Sequence, residues 1–103
     1  MAFEIRPNCE YCDKDLPNGA EDARICTYEC TYCADCVDNI LENVCPNCGG
    51  GFTPRPKRPD TAWRDGVSAK HQLPGTKRRS LNYSKENIAE QVAKIKHIPP
   101  KDR

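Results

Sequence analysis

The sequence predicts a small α+β module held together by metal, followed by an extended basic tail, and three observations predict it. All eight cysteines lie between positions 9 and 48, which leaves the second half without any. Most of them fall in pairs two residues apart, the spacing of a metal-binding turn. Charge is divided the same way. Residues 1–50 hold ten Asp and Glu against three Lys and Arg, a net of −7, whereas residues 51–103 hold thirteen basic residues against five acidic, a net of +8.

The chain has 103 residues, of which 37% are apolar, and its mean hydropathy is −0.83. Below about 70 to 80 residues a hydrophobic core rarely holds a fold without staples, and the cysteine-bearing part is shorter than that. An even cysteine count would also suit a secreted scaffold of disulfides. The opening Met1-Ala-Phe-Glu-Ile-Arg-Pro-Asn8 contains no apolar stretch of signal-peptide length, and no later segment is long enough to span a membrane. A reducing, cytoplasmic setting with no membrane partner is therefore expected.

Three regions follow from composition. Residues 1–52 form the cysteine module, closed by Gly49-Gly50-Gly51. Residues 53–83 begin Thr-Pro-Arg-Pro-Lys-Arg-Pro and continue polar and basic without hydrophobic periodicity, so they are expected to be an extended linker with no fixed fold. Residues 84–98 read as a short amphipathic helix: Ser84 can cap it, Ile88, Val92 and Ile95 recur at helical spacing, and Pro99-Pro100 stop it. No tail residue is needed as a ligand, so the module ending at Arg55 is expected to fold alone.

Within the module, Asn18-Gly19 supplies a turn, and the β-branched and aromatic residues of Ala23–Tyr28 suggest a short strand. Val37, Ile40, Leu41 and Val44 fall at i, i+3, i+4 and i+7, the apolar face of a two-turn helix between Cys36 and Cys45.

The full spacing is Cys9-x2-Cys12-x13-Cys26-x3-Cys30-x2-Cys33-x2-Cys36-x8-Cys45-x2-Cys48. A two-residue gap lets both sulfurs of a turn face one ion, and thiolates at about 2.3 Å in tetrahedral array suit zinc, so eight ligands imply two Zn2+ per chain. Cys45-Pro46-Asn47-Cys48-Gly49 is the clearest such turn, with proline stiffening its start and glycine tolerating positive φ after the second ligand. Cys26-x3-Cys30-x2-Cys33 also has the spacing radical SAM enzymes use for an iron–sulfur cluster. A barrel of that kind needs on the order of 200 residues, however.

Eight ligands can be shared in neighbouring or alternating order. Neighbour grouping, as in LIM domains, puts Cys36 and Cys45 on one ion. A helix over residues 37–44 would span roughly 12 Å and hold those two residues apart. Alternation gives Cys9, Cys12, Cys33 and Cys36 for one ion and Cys26, Cys30, Cys45 and Cys48 for the other. The ligand order with its helix and terminal Cys-Pro-x-Cys resembles a RING finger, with Cys30 where most RINGs carry histidine. The expected fold is thus a RING-like interleaved two-zinc α+β module with one short helix and an extended basic tail.

The strings Ile25-Cys26-Thr-Tyr-Glu-Cys30-Thr-Tyr-Cys33-Ala-Asp-Cys36 and Cys45-Pro-Asn-Cys48-Gly-Gly, with the opening Arg6-Pro-Asn-Cys9 and the exit Arg55-Pro-Lys-Arg-Pro59, resemble a family of small bacterial cysteine-rich proteins, domain of unknown function 1272. The likeness covers about residues 1–59. It implies a RING-like zinc fold and a bacterial source and carries no assigned reaction.

Zinc closed by four thiolates has no position for water or substrate, so the metal is not expected to catalyse. The leading expectation is a protein-interaction or regulatory module with a protein partner, in which Tyr11, Tyr28, Tyr32 and Phe52 supply contact surface and at least two of them supply core. A second reading is nucleic-acid association through Arg55, Lys57, Arg58, Lys77, Arg78 and Arg79 of the tail, with Trp63 for stacking. The module itself would repel phosphate, since two four-thiolate sites take its formal charge from −7 to about −11, and the tail could lie on it instead. A third reading, a RING-type ubiquitin ligase, is disfavoured by Tyr11 and Gly49 at places where ligases carry an aliphatic and a basic residue. His71 and His97 both lie in the tail and read as solvated.

Overall fold

The computed structural model describes residues 2–103; Met1, counted above in the 1–52 module, lies outside the described residues. The fold is a small α+β arrangement built on a three-stranded antiparallel sheet of order β2-β1-β3, with β1 at Ala23–Ile25, β2 at Thr31–Cys33 and β3 at Thr53–Pro54. In β1 and β2, Ala23 faces Cys33 and Ile25 faces Thr31, so the hairpin loop between them is Cys26–Cys30. The loop closes through Cys26 N–H to the Cys30 carbonyl at 3.2 Å, and Glu29 turns it with φ of 67°.

β2 runs directly into helix α1, Ala34–Cys36, whose axis continues as a wider π turn over Val37–Leu41. The predicted helix is present here, but its limits differ from expectation. It starts ahead of Cys36 because Ala34 N–H is anchored on the Asp22 carbonyl at 2.7 Å. It stops at Leu41 because Glu42 and Asn43 both adopt left-handed backbone, φ 46° and 62°. The Asn43 side chain holds that turn by accepting Phe52 N–H at 2.9 Å. Val37, Leu41 and Val44 are buried, whereas Ile40, expected on the same face, is 41% exposed.

The core is small and shared with sulfur: Leu16, Ala23, Tyr32, Val37, Leu41 and Val44 pack with six buried cysteines. Tyr32 is fully buried and meets the Phe52 ring edge-on at 5.2 Å, Tyr11 is half-buried against the core, and Tyr28 is exposed. Tyr32 is thus core and Phe52 and Tyr11 are half-buried against it, with the Tyr32–Phe52 pair in the edge-to-face geometry that aromatic rings favour.

The tail departs most from expectation. Helix α2, Lys85–Ile95, is capped by Ser84, whose Oγ accepts Asn87 N–H at 3.1 Å, and it buries Ile88 and Val92 in the same core as the cysteines. An apolar stripe on so short a helix is marginal in water, and covering it is what stabilises the helix. The expectation that the module folds independently of the tail does not allow for this packing.

Residues 53–83, expected to lack a fixed fold, are laid along the module. Arg55 is buried, and its guanidinium donates to the carbonyls of Arg6, Leu16 and Pro17 at 2.8–2.9 Å. Arg58 N–H donates to the Asn18 side chain, which returns a bond to the Arg58 carbonyl at 2.8 Å, and Gly75 N–H reaches the Ile5 carbonyl at 2.8 Å. Few of these residues are apolar, so composition alone does not reveal them as structured; backbone and guanidinium bonds hold them.

Candidate metal centre

Each cysteine is positioned by a local turn or by the end of a strand or helix. Cys9 and Cys12 lie on a turn in which Cys12 N–H points at the Cys9 sulfur at 3.5 Å and Asp13 N–H at the Cys9 carbonyl at 2.9 Å. Cys45 and Cys48 share the carbonyl bond of that turn, Gly49 N–H meeting the Cys45 carbonyl at 2.8 Å, but here it is the second sulfur, Cys48, that receives an N–H, from Gly50 at 3.4 Å. Positive φ recurs at the residue after each second cysteine, 67° at Asp13 and 77° at Gly49. The hairpin loop supplies Cys26, whose sulfur accepts Tyr28 N–H at 3.3 Å, and Cys30. Cys33 ends β2 and Cys36 ends α1. Backbone N–H groups aimed at sulfur stabilise thiolate character and orient the ligand.

The sulfurs gather in alternating order. Those of Cys9, Cys12, Cys33 and Cys36 lie within 4.8 Å of one another, and so do those of Cys26, Cys45 and Cys48. Cys30 is outside that mutual set. It stays next to Cys26 through the Cys26 N–H bond to its carbonyl at 3.2 Å, and Asn47 Nδ2 donates to its sulfur at 3.3 Å. Asn47 is a contributor that spacing could not identify, because it is one of the two residues between Cys45 and Cys48 and carries no metal-ligating group. Within each turn pair the first cysteine is buried and the second exposed: Cys9 and Cys45 inside, Cys12 and Cys48 at the surface.

Electrostatics explain why such clusters call for a cation. Hydrogen bonds from Cys30 and Cys45 draw the Cys26 thiol down to about 3. Cys45 is pushed strongly upward by Cys26 and Cys30 and then by burial, and Cys36 is pushed upward by burial and by Cys33. One thiolate in a cluster thus raises its neighbours, since adjacent anions in a buried site repel. A divalent ion removes that conflict by stabilising every thiolate together. The donor set is all sulfur, which fits zinc and excludes the oxygen-seeking cations magnesium and calcium.

The Tyr32 hydroxyl is buried and has no hydrogen-bond partner among the described residues. Burial, then the charges of Cys45, Glu10, Cys30 and Cys26, push its pKa far upward, so it remains a neutral donor beside the second cluster. His71 and His97 lie in the tail, outside both clusters, as expected. His71 Nδ1 meets Ser68 Oγ at 2.8 Å, but that serine is buried and also accepts Lys70 N–H at 3.1 Å, which makes this a turn contact.

The basic side chains considered for nucleic acid are largely engaged within the chain. Arg78 pairs with Asp13 and Asp15, Arg79 with Glu4, and Lys57 with Asp60, while Arg55 and Arg58 bond backbone carbonyls. Trp63 is exposed. No helix among the described residues is long and apolar enough to cross a membrane.

Comparison with known proteins finds one family model, described as a protein of unknown function (DUF1272), matching residues 2–58. A relative in Rhizobium meliloti (strain 1021), itself an uncharacterised protein, is 58% identical over 57 residues, covering 55% of this chain and 68% of the relative. No solved structure matches the chain. The family match ends at residue 58, so most of the tail lies outside it.

Proposed function

The chain belongs to the DUF1272 family, and from that premise we propose that it is a zinc protein with two structural four-cysteine sites in a RING-like interleaved module. The observation that carries this reading is the alternating convergence of seven sulfurs, four in one cluster and three in the other. Cys9, Cys12, Cys33 and Cys36 hold one ion. Cys26, Cys45 and Cys48 hold the other with Cys30, which the backbone bond to Cys26 and the side chain of Asn47, between Cys45 and Cys48, bring to the edge of the cluster.

Bound there, zinc supplies folding free energy and a fixed shape in place of a large core. Four thiolates close its coordination, so the metal offers no position for a substrate and the protein is not an enzyme. Its work is done by its surface as a cytoplasmic interaction or regulatory module toward a protein partner. The engagement of the tail arginines with acidic groups and carbonyls of the module favours this over nucleic-acid association.

Elemental analysis of the purified protein tests the reading. Two zinc ions per chain are expected; one zinc, or iron with visible absorbance, overturns the two-site assignment.

A further inference from the structure

The two Cys-x2-Cys turns are each gripped from outside by the tail, at two separate places. At the first turn, Leu81 N–H donates to the Glu10 carbonyl at 3.2 Å, and Arg79 exchanges two bonds with the Asn8 side chain, at 2.8 and 3.1 Å. Arg78 adds bonds to the Asp13 carbonyl at 2.6 Å and to the Asp13 and Asp15 carboxylates. These residues flank Cys9 and Cys12 on both sides.

At the second turn, Gln91 Nε2 donates to the carbonyls of Cys45 and Pro46 at 3.4 and 3.2 Å. Arg103 Nη1 donates to the carbonyls of Asn43 and Gly49 at 2.7 and 3.1 Å. The backbone here is close-packed as well: a Cβ at Gly51 would come within 2.9 Å of the Pro100 ring. Cys45 and Cys48 are bracketed as Cys9 and Cys12 are.

We propose that the tail is a two-point strap that governs how readily each metal leaves, and that metal loss in turn releases the tail. The proposal rests on the zinc reading above. A thiolate site loses its ion when the turn deforms and an exposed ligand detaches, and Cys12 and Cys48 are the exposed ligands. Pinning the carbonyls on either side of those residues opposes that deformation. Because docking favours the liganded turn, the metal must favour docking by the same factor. Loss of metal then frees α2 and uncovers Ile88 and Val92, so the occupancy of a closed site is reported at the surface as an apolar face.

The test uses the full-length chain loaded with cadmium-113, which gives one resonance per site assignable through couplings to cysteine β-protons. The decay of each resonance is followed after addition of a chelator. Gln91→Ala with Arg103→Ala should hasten loss from the Cys26/Cys45/Cys48 site by at least about fivefold, the equivalent of one lost hydrogen bond, and leave the other site unchanged. Arg78→Ala should hasten loss from the Cys9/Cys12/Cys33/Cys36 site alone. Unchanged rates, or equal acceleration at both sites in both variants, overturn the strap. Hydrogen exchange of the unaltered chain gives a second measure: α2 amides should lose protection when metal is removed, and retained protection overturns the proposal. A chain that takes up no cadmium overturns the metal reading and the strap together, whereas two bound ions released at unchanged rates overturn the strap alone.

Discussion

The Cys12 sulfur lies 3.7 Å from the Cys33 sulfur, joining the first turn to the end of β2 across the hairpin that carries Cys26 and Cys30. The chain therefore alternates between clusters, and the helical segment after Cys33 carries it from one cluster to the other. With cadmium-113 in place of zinc, Cys12 and Cys33 should couple to one resonance, and Cys36 and Cys45 to different ones. A single resonance coupled to both Cys36 and Cys45 would refute this grouping.

Removal of metal should unfold the module. Thiols must lose protons to bind the ion, so affinity falls as pH falls, and acidification should act in the same direction as a chelator. Hydrogen exchange over residues 9–48 provides the measure, with protection expected in loaded protein at neutral pH and lost after chelation or acid. Protection that survives complete metal removal would mean that packing alone holds the fold.

The tail should contribute to stability through buried apolar area. Ile88 is 4% exposed, and truncating a buried isoleucine to alanine costs about 2–5 kcal/mol. Ile88→Ala should therefore lower the denaturation midpoint clearly, while Glu90→Ala on the exposed side of the same helix should not. Equal, small effects would show that α2 is not docked in solution.

The helix over 85–95 and the pairing of cysteines were legible because each rests on a local spacing: three and four residues for the helix, three for the metal turns. Docking of the helix was not. Periodicity tells which face is apolar and says nothing of what covers it. Only the opposite charges of the two halves hinted that tail and module associate, and the pairs Arg78–Asp13 and Arg79–Glu4 now express that hint. The displacement of Cys30 from the second cluster was likewise hidden, because its three-residue gap from Cys26 is the loop of a hairpin, turned by left-handed Glu29, a geometry that spacing alone does not describe.

Arg55 should be harder to replace than its place in a proline-rich segment implies. Its guanidinium satisfies three carbonyls under cover, where a lone unpaired buried polar group costs about 1–3 kcal/mol. Arg55→Met should destabilise the loaded protein by several kcal/mol, and Arg55→Lys should not rescue it, because an ammonium lacks the planar fork that spans the three acceptors. Full rescue by lysine in thermal denaturation would show that charge, not geometry, is what the site requires.

Gly49 and Asp13 make the last comparison. They hold the same place after the second cysteine of a turn, with φ of 77° and 67°, and both N–H groups bond the carbonyl of the first cysteine, at 2.8 and 2.9 Å. A side chain in left-handed backbone costs roughly 1–2 kcal/mol, least for Asn and Asp, whose short polar groups bond locally. Asp13 meets that condition, since its carboxylate accepts from Asn8 Nδ2 and from Arg78. At Gly49 space is not the obstacle: a Cβ there would lie 3.6 Å from Ile95 Cδ1, ordinary contact. Backbone strain alone should then set the ranking, with Gly49→Asn mildest, Gly49→Ala costing about 1 kcal/mol and Gly49→Val more, since branching at Cβ crowds the left-handed conformation further. Denaturant midpoints of the zinc-loaded variants would check the order. If Gly49→Asn were as damaging as Gly49→Val, bulk against α2 would be the limiting factor and not the backbone angle.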